Sequence, residues 1–151
     1  MKKYLAVVLA VFCVIAFCMA PASASTGLVA KSTGMTVSPI IGDIIWPKSS
    51  NTGTVSQGTS ETFSYSIPSG STELVVRVTW SSASNNLGLN VILPDGSTFG
   101  EFDDYTDGSA NGVISIQFKD TTGLQWGTWK FQVNGKSVSG SQPFTITVVS
   151  S

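Results

Sequence analysis

Four carboxylates within a seven-residue segment are the densest group of possible metal ligands in the chain. They are Glu101, Asp103, Asp104 and Asp107. Calcium prefers about six to eight oxygen ligands, which clustered carboxylates and carbonyls of a flexible loop can supply. The segment does not match an EF-hand, because Tyr105 stands where an oxygen ligand is needed. These residues therefore predict a calcium (Ca²⁺) site of another kind, and the alternative is an acidic, solvated loop.

Two tryptophans are candidates for contact with a ligand. Trp126 lies outside any strand-like alternation, and Trp46 ends a short apolar segment. An exposed indole beside polar loops can stack on a sugar ring or anchor a protein partner. The alternative for Trp126 is partial burial against a loop. Trp80 and Trp129 fall in register with apolar strand positions, so we expect both in the core.

Groups suited to catalysis are few. From Ser25 onward the chain contains no histidine and no cysteine, which excludes Ser-His-Asp and Cys-His catalysis and thiolate or imidazole zinc sites. A glycosidase-type carboxylate pair would need one carboxyl whose pKa is raised by burial. The glycine-rich acidic segment is a poor place to bury one. We therefore expect no enzymatic activity.

The beginning of the chain has the pattern of a secretory signal peptide. Two lysines precede an apolar run over residues 5–19, and small residues follow at 22–24. This run is too short for a comfortable membrane span and contains both cysteines, Cys13 and Cys18. We expect cleavage after Ala24 and a secreted or cell-surface protein without a stable membrane span. An uncleaved anchor is the alternative.

Charge and composition exclude further classes. Nine acidic against six basic residues from position 25 onward give a net charge of −3, without any basic stripe. Nucleic acid is therefore not an expected partner, since binding its phosphates needs clustered positive charge. The chain is 42% hydrophobic, with apolar residues at strand spacing, so it can build a core. The roughly 127 residues after the signal peptide suffice for one domain.

Period-two alternation predicts an all-β fold. Alternating apolar residues occur over residues 61–67, 74–80, 87–93, 113–118, 129–133 and 144–148, with turn residues between them. About eight short strands at this spacing predict an antiparallel β-sandwich, jelly-roll-like in type. Asn134-Gly135 predicts a type I′ hairpin turn after the strand at 129–133.

Three regions follow from these patterns. Residues 1–24 form the signal peptide, residues 25–51 an N-terminal arm, and residues 52–151 the sandwich. The apolar segment at 39–46 is a candidate first edge strand or docking segment, because proline in or beside a strand favours an edge. Alternatively, the arm could add a strand to the sheet of a neighbouring molecule.

Three short motifs mark strands and turns in the second half of the chain. They are Asn-Leu-Gly-Leu at 86–89, Leu-Pro-Asp-Gly at 93–96 and Gly-Thr-Trp at 127–129. Together they resemble the bacterial and archaeal pre-peptidase C-terminal domain over residues 52–149. Gly88 departs from the family pattern, which often has an acidic residue there. The resemblance implies a secreted, non-catalytic β-sandwich, and some such domains are implicated in binding matrix protein, polysaccharide or calcium.

We therefore expect a secreted or cell-surface binding module that recognises extracellular polysaccharide or protein without catalysis. The alternative is a structural or assembly subunit of a cell-surface layer or filament, for which the arm could mediate self-association.

Overall fold

The computed structural model describes residues 34–40 and 49–151, which form nine β-strands and no helix. The strands are β1 Thr36–Pro39, β2 Ser49–Ser56, β3 Ser60–Ile67, β4 Glu73–Trp80, β5 Asn86–Ile92, β6 Thr98–Asp103, β7 Val113–Lys119, β8 Gly127–Ser137 and β9 Ser141–Ser150. Within these two ranges no helix is long and apolar enough to cross a membrane. The signal-peptide prediction falls on residues 1–24, outside the described residues.

The strands form two antiparallel sheets. One sheet has the order β1-β7-β4-β9-β2 and the other the order β3-β8-β5-β6. From β2 to β9, most connections cross from one sheet to the other, and the order 2-9-4-7 opposite 3-8-5-6 is that of a jelly roll. β1 is an additional edge strand beside β7. The predicted β-sandwich is therefore confirmed.

The core lies between the sheets and is built from alternate residues of the strands. Val76 of β4, Leu89 of β5 and Trp129 of β8 are each 0% exposed. The ring of Phe118 makes edge-to-face contacts with Phe102 at 6.4 Å and with Trp129 at 5.6 Å between ring centroids. Because each fully buried large apolar side chain contributes about 1.5–3 kcal/mol, this alternation is the main source of stability. The core positions predicted for Trp80 and Trp129 are confirmed.

The N-terminal edge strands differ from the sequence prediction. β1 comes before most of the apolar segment at 39–46 and pairs Val37 with Phe118 of β7. Residues 41–46 of that segment, including Trp46, lie outside the described residues. β2 begins at Ser49 rather than near residue 52, and its first four residues are exposed. A polar edge strand shows no apolar alternation, so its start depends on pairing with β9.

The hairpin turn predicted at Asn134-Gly135 is wrong. β8 continues through both residues to Ser137, and the turn into β9 follows it. The Gly135 N–H donates to the carbonyl oxygen of Thr59 at 2.9 Å. A Cβ at Gly135 would lie 2.9 Å from the carbonyl carbon of Ser56. This glycine therefore permits the close approach of another strand, a requirement that the local sequence does not reveal.

Candidate functional site

The loop that carries Trp126 and the acidic loop at 104–112 lie near opposite ends of β6. The turn at 93–97 precedes β6, and Gly127 beside Trp126 lies against Pro94 of this turn. The acidic loop at 104–112 follows β6 at its other end. Of the four predicted calcium ligands, Asp104 and Asp107 therefore lie at the far end of β6 from Trp126, whereas Glu101 and Asp103 lie on the strand itself.

Asp104 of the acidic loop holds the loop itself. Its side chain is only 2% exposed. Its Oδ1 accepts hydrogen bonds from the backbone N–H groups of Asn111 at 3.0 Å, Gly112 at 2.8 Å and Val113 at 3.2 Å. One carboxylate oxygen thus closes the loop at 104–112 and fixes the start of β7.

The remaining three carboxylates have different partners. Asp107 accepts the N–H of Ser109 at 2.9 Å within a local turn. The ammonium of Lys136, on β8, lies 3.2 Å from Glu101 Oε2 and 3.1 Å from Asp103 Oδ2. The structure therefore brings Glu101 and Asp103 together, but around a lysine.

The environment of Lys136 stabilises its charged form. Partial burial lowers the pKa of Lys136, but hydrogen bonds and attraction from Asp103 and Glu101 outweigh this and raise the pKa above its ordinary value of 10.5. Gly88 of β5 lies under this ion pair, since a Cβ there would come within 2.9 Å of Lys136 Cδ and of Glu101 Cδ. Gly88 thus makes room for the side chains of Lys136 and Glu101.

These contacts do not bring the four carboxylates together around a common point, as a preformed calcium site would require. Among the residues that the structure describes, no group of three or more histidine, cysteine, aspartate or glutamate side chains is placed to hold a metal ion. Calcium binding by Glu101, Asp103, Asp104 and Asp107 stays a prediction.

Trp126 is the most exposed large aromatic residue among those described. Its side chain is 72% exposed, compared with 64% for Tyr105. The residues on both sides of Trp126 are fixed: the Gln125 carbonyl accepts the indole N–H of Trp129 at 2.8 Å. Gly127 is paired with Ile67 of β3, and its φ of +123° is a left-handed conformation suited to glycine. The indole thus projects from an anchored backbone.

A contact between two loops adds to this anchoring. The Gln125 side-chain amide donates to Asp95 Oδ2 at 2.8 Å, and the Ser97 N–H donates to Asp95 Oδ1 at 2.8 Å. The hydrogen bond from Gln125, followed by the one from Ser97, holds the pKa of Asp95 below its ordinary value of 3.8. Asp95 is thus hydrogen-bonded to the residue that precedes Trp126. The sequence assigned Asp95 to a turn but gave no sign of its bond to Gln125.

The loop that carries Trp126 is also fixed at its beginning. Asp120 Oδ1 accepts the Thr122 hydroxyl at 2.6 Å and the Thr122 N–H at 2.8 Å. These bonds, the hydroxyl first, lower the pKa of Asp120. The Leu124 N–H donates to the carbonyl of Ser71 at 2.8 Å. The Asp-x-Thr spacing at 120–122 is a turn signal that sequence reasoning missed.

An open groove of about 610 Å³ lies elsewhere, across β2, β9 and β4. Its described lining includes Thr52, Thr79 and Thr145, which face one another in one row across the three strands. None of the described lining residues is charged. These side chains contribute no acid or base to this groove.

The fold and the loops place this protein among jelly-roll β-sandwich modules. Residues 59–135, 77 of the 151, match the family model of the bacterial pre-peptidase C-terminal domain. The chain belongs to this family, as its motifs predicted. Domains of this family are non-catalytic and occur generally in secreted, extracellular proteins.

Comparisons with individual proteins add little to this assignment. No curated protein matches the chain. Among solved structures, the crystal structure of SPBc2 prophage-derived protein YomS is similar at 14% sequence identity and a TM-score of 0.30, over 72% of this chain and 100% of that one.

Proposed function

We propose that this protein is a secreted, non-catalytic binding module that recognises an extracellular polysaccharide or protein through Trp126. The observation that carries the proposal is an indole that is 72% exposed on a loop fixed at several points. Membership of a family of extracellular, non-catalytic domains supports it.

The energetics of an exposed, anchored indole favour recognition. Burying a large apolar side chain contributes about 1.5–3 kcal/mol, and here that contribution is not used in folding. Tryptophan anchors at interfaces often contribute about 2 kcal/mol or more when a partner covers them. Because the Gln125 carbonyl is hydrogen-bonded to Trp129 and Gly127 is paired with Ile67, little backbone entropy is lost on binding.

The polar groups beside the indole suit a ligand that has donors. Asp95 is an ionised acceptor held by Gln125 and Ser97, and its oxygens have further lone pairs. A sugar hydroxyl or a peptide N–H can donate to such a carboxylate while the sugar ring or a side chain stacks on Trp126. Both ligand classes fit this chemistry.

The alternative function, a structural or assembly subunit, was motivated by the N-terminal arm. Residues 36–39 of that arm pair with β7 of the same chain. This part of the arm therefore serves its own sheet, which makes the arm a weaker reason for assembly and favours the binding module.

Glycan and matrix-protein arrays, probed with the purified protein, test the proposal. For each ligand found, we expect Trp126→Ala to weaken binding by at least about 30-fold, the equivalent of about 2 kcal/mol. Tyr105→Ala is the matched control, since it removes an aromatic side chain that is 64% exposed at the other end of β6. Equal losses in both variants, or none in Trp126→Ala, would show that Trp126 is not the binding residue. Glycan or peptide turnover that Asp103→Asn with Asp104→Asn removes would overturn the non-catalytic assignment.

A further inference from the structure

We propose that β3 is an assembly edge, at which two copies of this protein pair their β3 strands antiparallel about Ser64. The two four-stranded sheets then form one continuous eight-stranded sheet. The inference is independent of ligand binding at Trp126, which lies on a different loop.

The edges of the two sheets differ in how well they are protected against such pairing. Four of the described strands are edges: β1, β2, β3 and β6. An edge strand presents unpaired N–H and C=O groups, and proteins usually block it with proline, charge, bulges or short length. An edge without these features is open to a strand from another molecule.

Two of the four edges carry several such features. β1 has only four residues and ends at Pro39. β6 is irregular, because its register with β5 shifts between Leu89 and Val91. It also carries the acidic Glu101 and Asp103, and the Asp103 N–H donates to Thr106 Oγ1 at 2.7 Å. Self-pairing at β6 would bring like charges together.

The edge of β2 is blocked by side chains. The Thr54 N–H donates to Glu61 Oε2 at 2.9 Å, and the Ser56 N–H donates to Thr59 Oγ1 at 2.8 Å. A Cβ at Gly53 would lie 2.8 Å from the Glu61 carboxyl carbon, so this glycine makes room for the blocking group. Two backbone donors in the second half of β2 are thus already used.

β3 differs from all three. Its eight residues pair with β8 without a register shift, and they include no proline, glycine or lysine. Its one charged residue, Glu61, is engaged with the backbone of β2. The outward row consists of exposed hydroxyl residues: Ser60, Thr62, Ser64 and Ser66. The strand is therefore regular, long and uncharged on its outer row, and none of the described residues (34–40 and 49–151) protects its edge.

The inward-facing side chains of β3 favour a second copy of this protein as the molecule that pairs with its edge. Phe63 and Tyr65 are only partly buried, although Phe63 contacts Phe144 edge-on at 5.8 Å. Antiparallel pairing centred on Ser64 places Phe63 opposite Tyr65 of the partner subunit, and the two-fold axis repeats this pair. Aromatic cross-strand pairs are among those that stabilise sheets. The neutral hydroxyl row opposes no like charges in this arrangement.

Sedimentation velocity of the exported protein from micromolar to millimolar concentration tests the proposal. We expect a concentration-dependent dimer, and Ser64→Lys should raise its dissociation constant at least about tenfold, because two lysines would face each other. Thr98→Lys, at an exposed position of the β6 edge, is the matched control and should leave the dimer intact. A monomer at every concentration, or a dimer that Ser64→Lys leaves unchanged, would overturn the proposal. Circular dichroism checks that both variants fold.

Cysteine cross-linking tests the register directly. Both natural cysteines, Cys13 and Cys18, lie ahead of the predicted cleavage site. Ser64→Cys places two thiols opposite each other at a distance that a disulfide can span. Thr62→Cys faces Ser66 of the partner subunit and should cross-link much less. Equal cross-linking of the two variants would refute pairing about Ser64.

Discussion

Removal of the Asp104 carboxylate should destabilise the sandwich strongly, although the residue belongs to an acidic loop that resembles a solvated turn. Its side chain is 2% exposed, and one oxygen accepts three backbone N–H groups, from Asn111, Gly112 and Val113. Asp104→Ala leaves these donors without a partner and loosens the entry to β7.

The magnitude follows from the burial of the donors. Asn111 is exposed and can rebind water, Val113 is half-buried, and Gly112 is buried. Hydrogen bonds to charged groups contribute about 1.5–3 kcal/mol each, but water replaces part of that contribution at the exposed donor. We therefore expect Asp104→Ala to lower the free energy of unfolding by about 3–5 kcal/mol. Asp104→Asn keeps an acceptor oxygen and should lose about 1–2 kcal/mol.

Urea denaturation followed by tryptophan fluorescence measures these differences. The comparison requires that the variants share the same m value, the slope of the free energy of unfolding against urea concentration. Asp107→Ala is the control within the same loop, because Asp107 accepts one N–H, that of Ser109. It should lose no more than about 1 kcal/mol. A loss below about 1 kcal/mol in Asp104→Ala, or equal losses in the two alanine variants, would refute the argument.

Three further predictions concern the core, pH and calcium. Trp129→Ala should lower the free energy of unfolding by about 3–5 kcal/mol, because it empties a fully buried site; a loss below about 1 kcal/mol in urea would contradict core packing. The pKa values of Asp95 and Asp120 lie below 3.8 in the folded protein, so their contribution to stability is complete well above 3.8 and is lost as pH falls through the folded values. Below pH 3.8 the free energy of unfolding should therefore fall less steeply with decreasing pH when Asp95 and Asp120 are both replaced by asparagine. An unchanged slope would count against these hydrogen bonds. Calcium bound by the acidic side chains should raise the melting temperature by several degrees relative to EDTA, and Asp103→Asn with Asp107→Asn should remove this rise. An identical melting curve in EDTA and in millimolar calcium would contradict the calcium site and leave Asp103 and Asp107 with their protein partners alone.

The strands with alternating apolar residues could be predicted from the sequence, because this alternation is a local property of the chain. Alternating residues point to opposite faces of any strand, so residues 74–80 and 129–133 define a buried row wherever their partners lie. This is why the sandwich and the burial of Trp129 follow from the pattern alone. β2 lacks the pattern, because most of its side chains are exposed and its pairing with β9 determines it. Gly135 likewise depends on Ser56, which is distant in sequence.

For the candidate sites too, the sequence determined the residue types and the tertiary structure determined their partners. The sequence determined that the chain has four clustered carboxylates, no histidine, and a tryptophan outside the strand alternation. Only the tertiary structure assigned each carboxylate its partner, because Lys136 reaches Glu101 and Asp103 across a strand whose Gly88 has no side chain. Similarly, the fixed backbone around Trp126 depends on a bond between loops thirty residues apart. Residue types and alternation are local properties, whereas the distance between two side chains on different strands is set by sheet order and register.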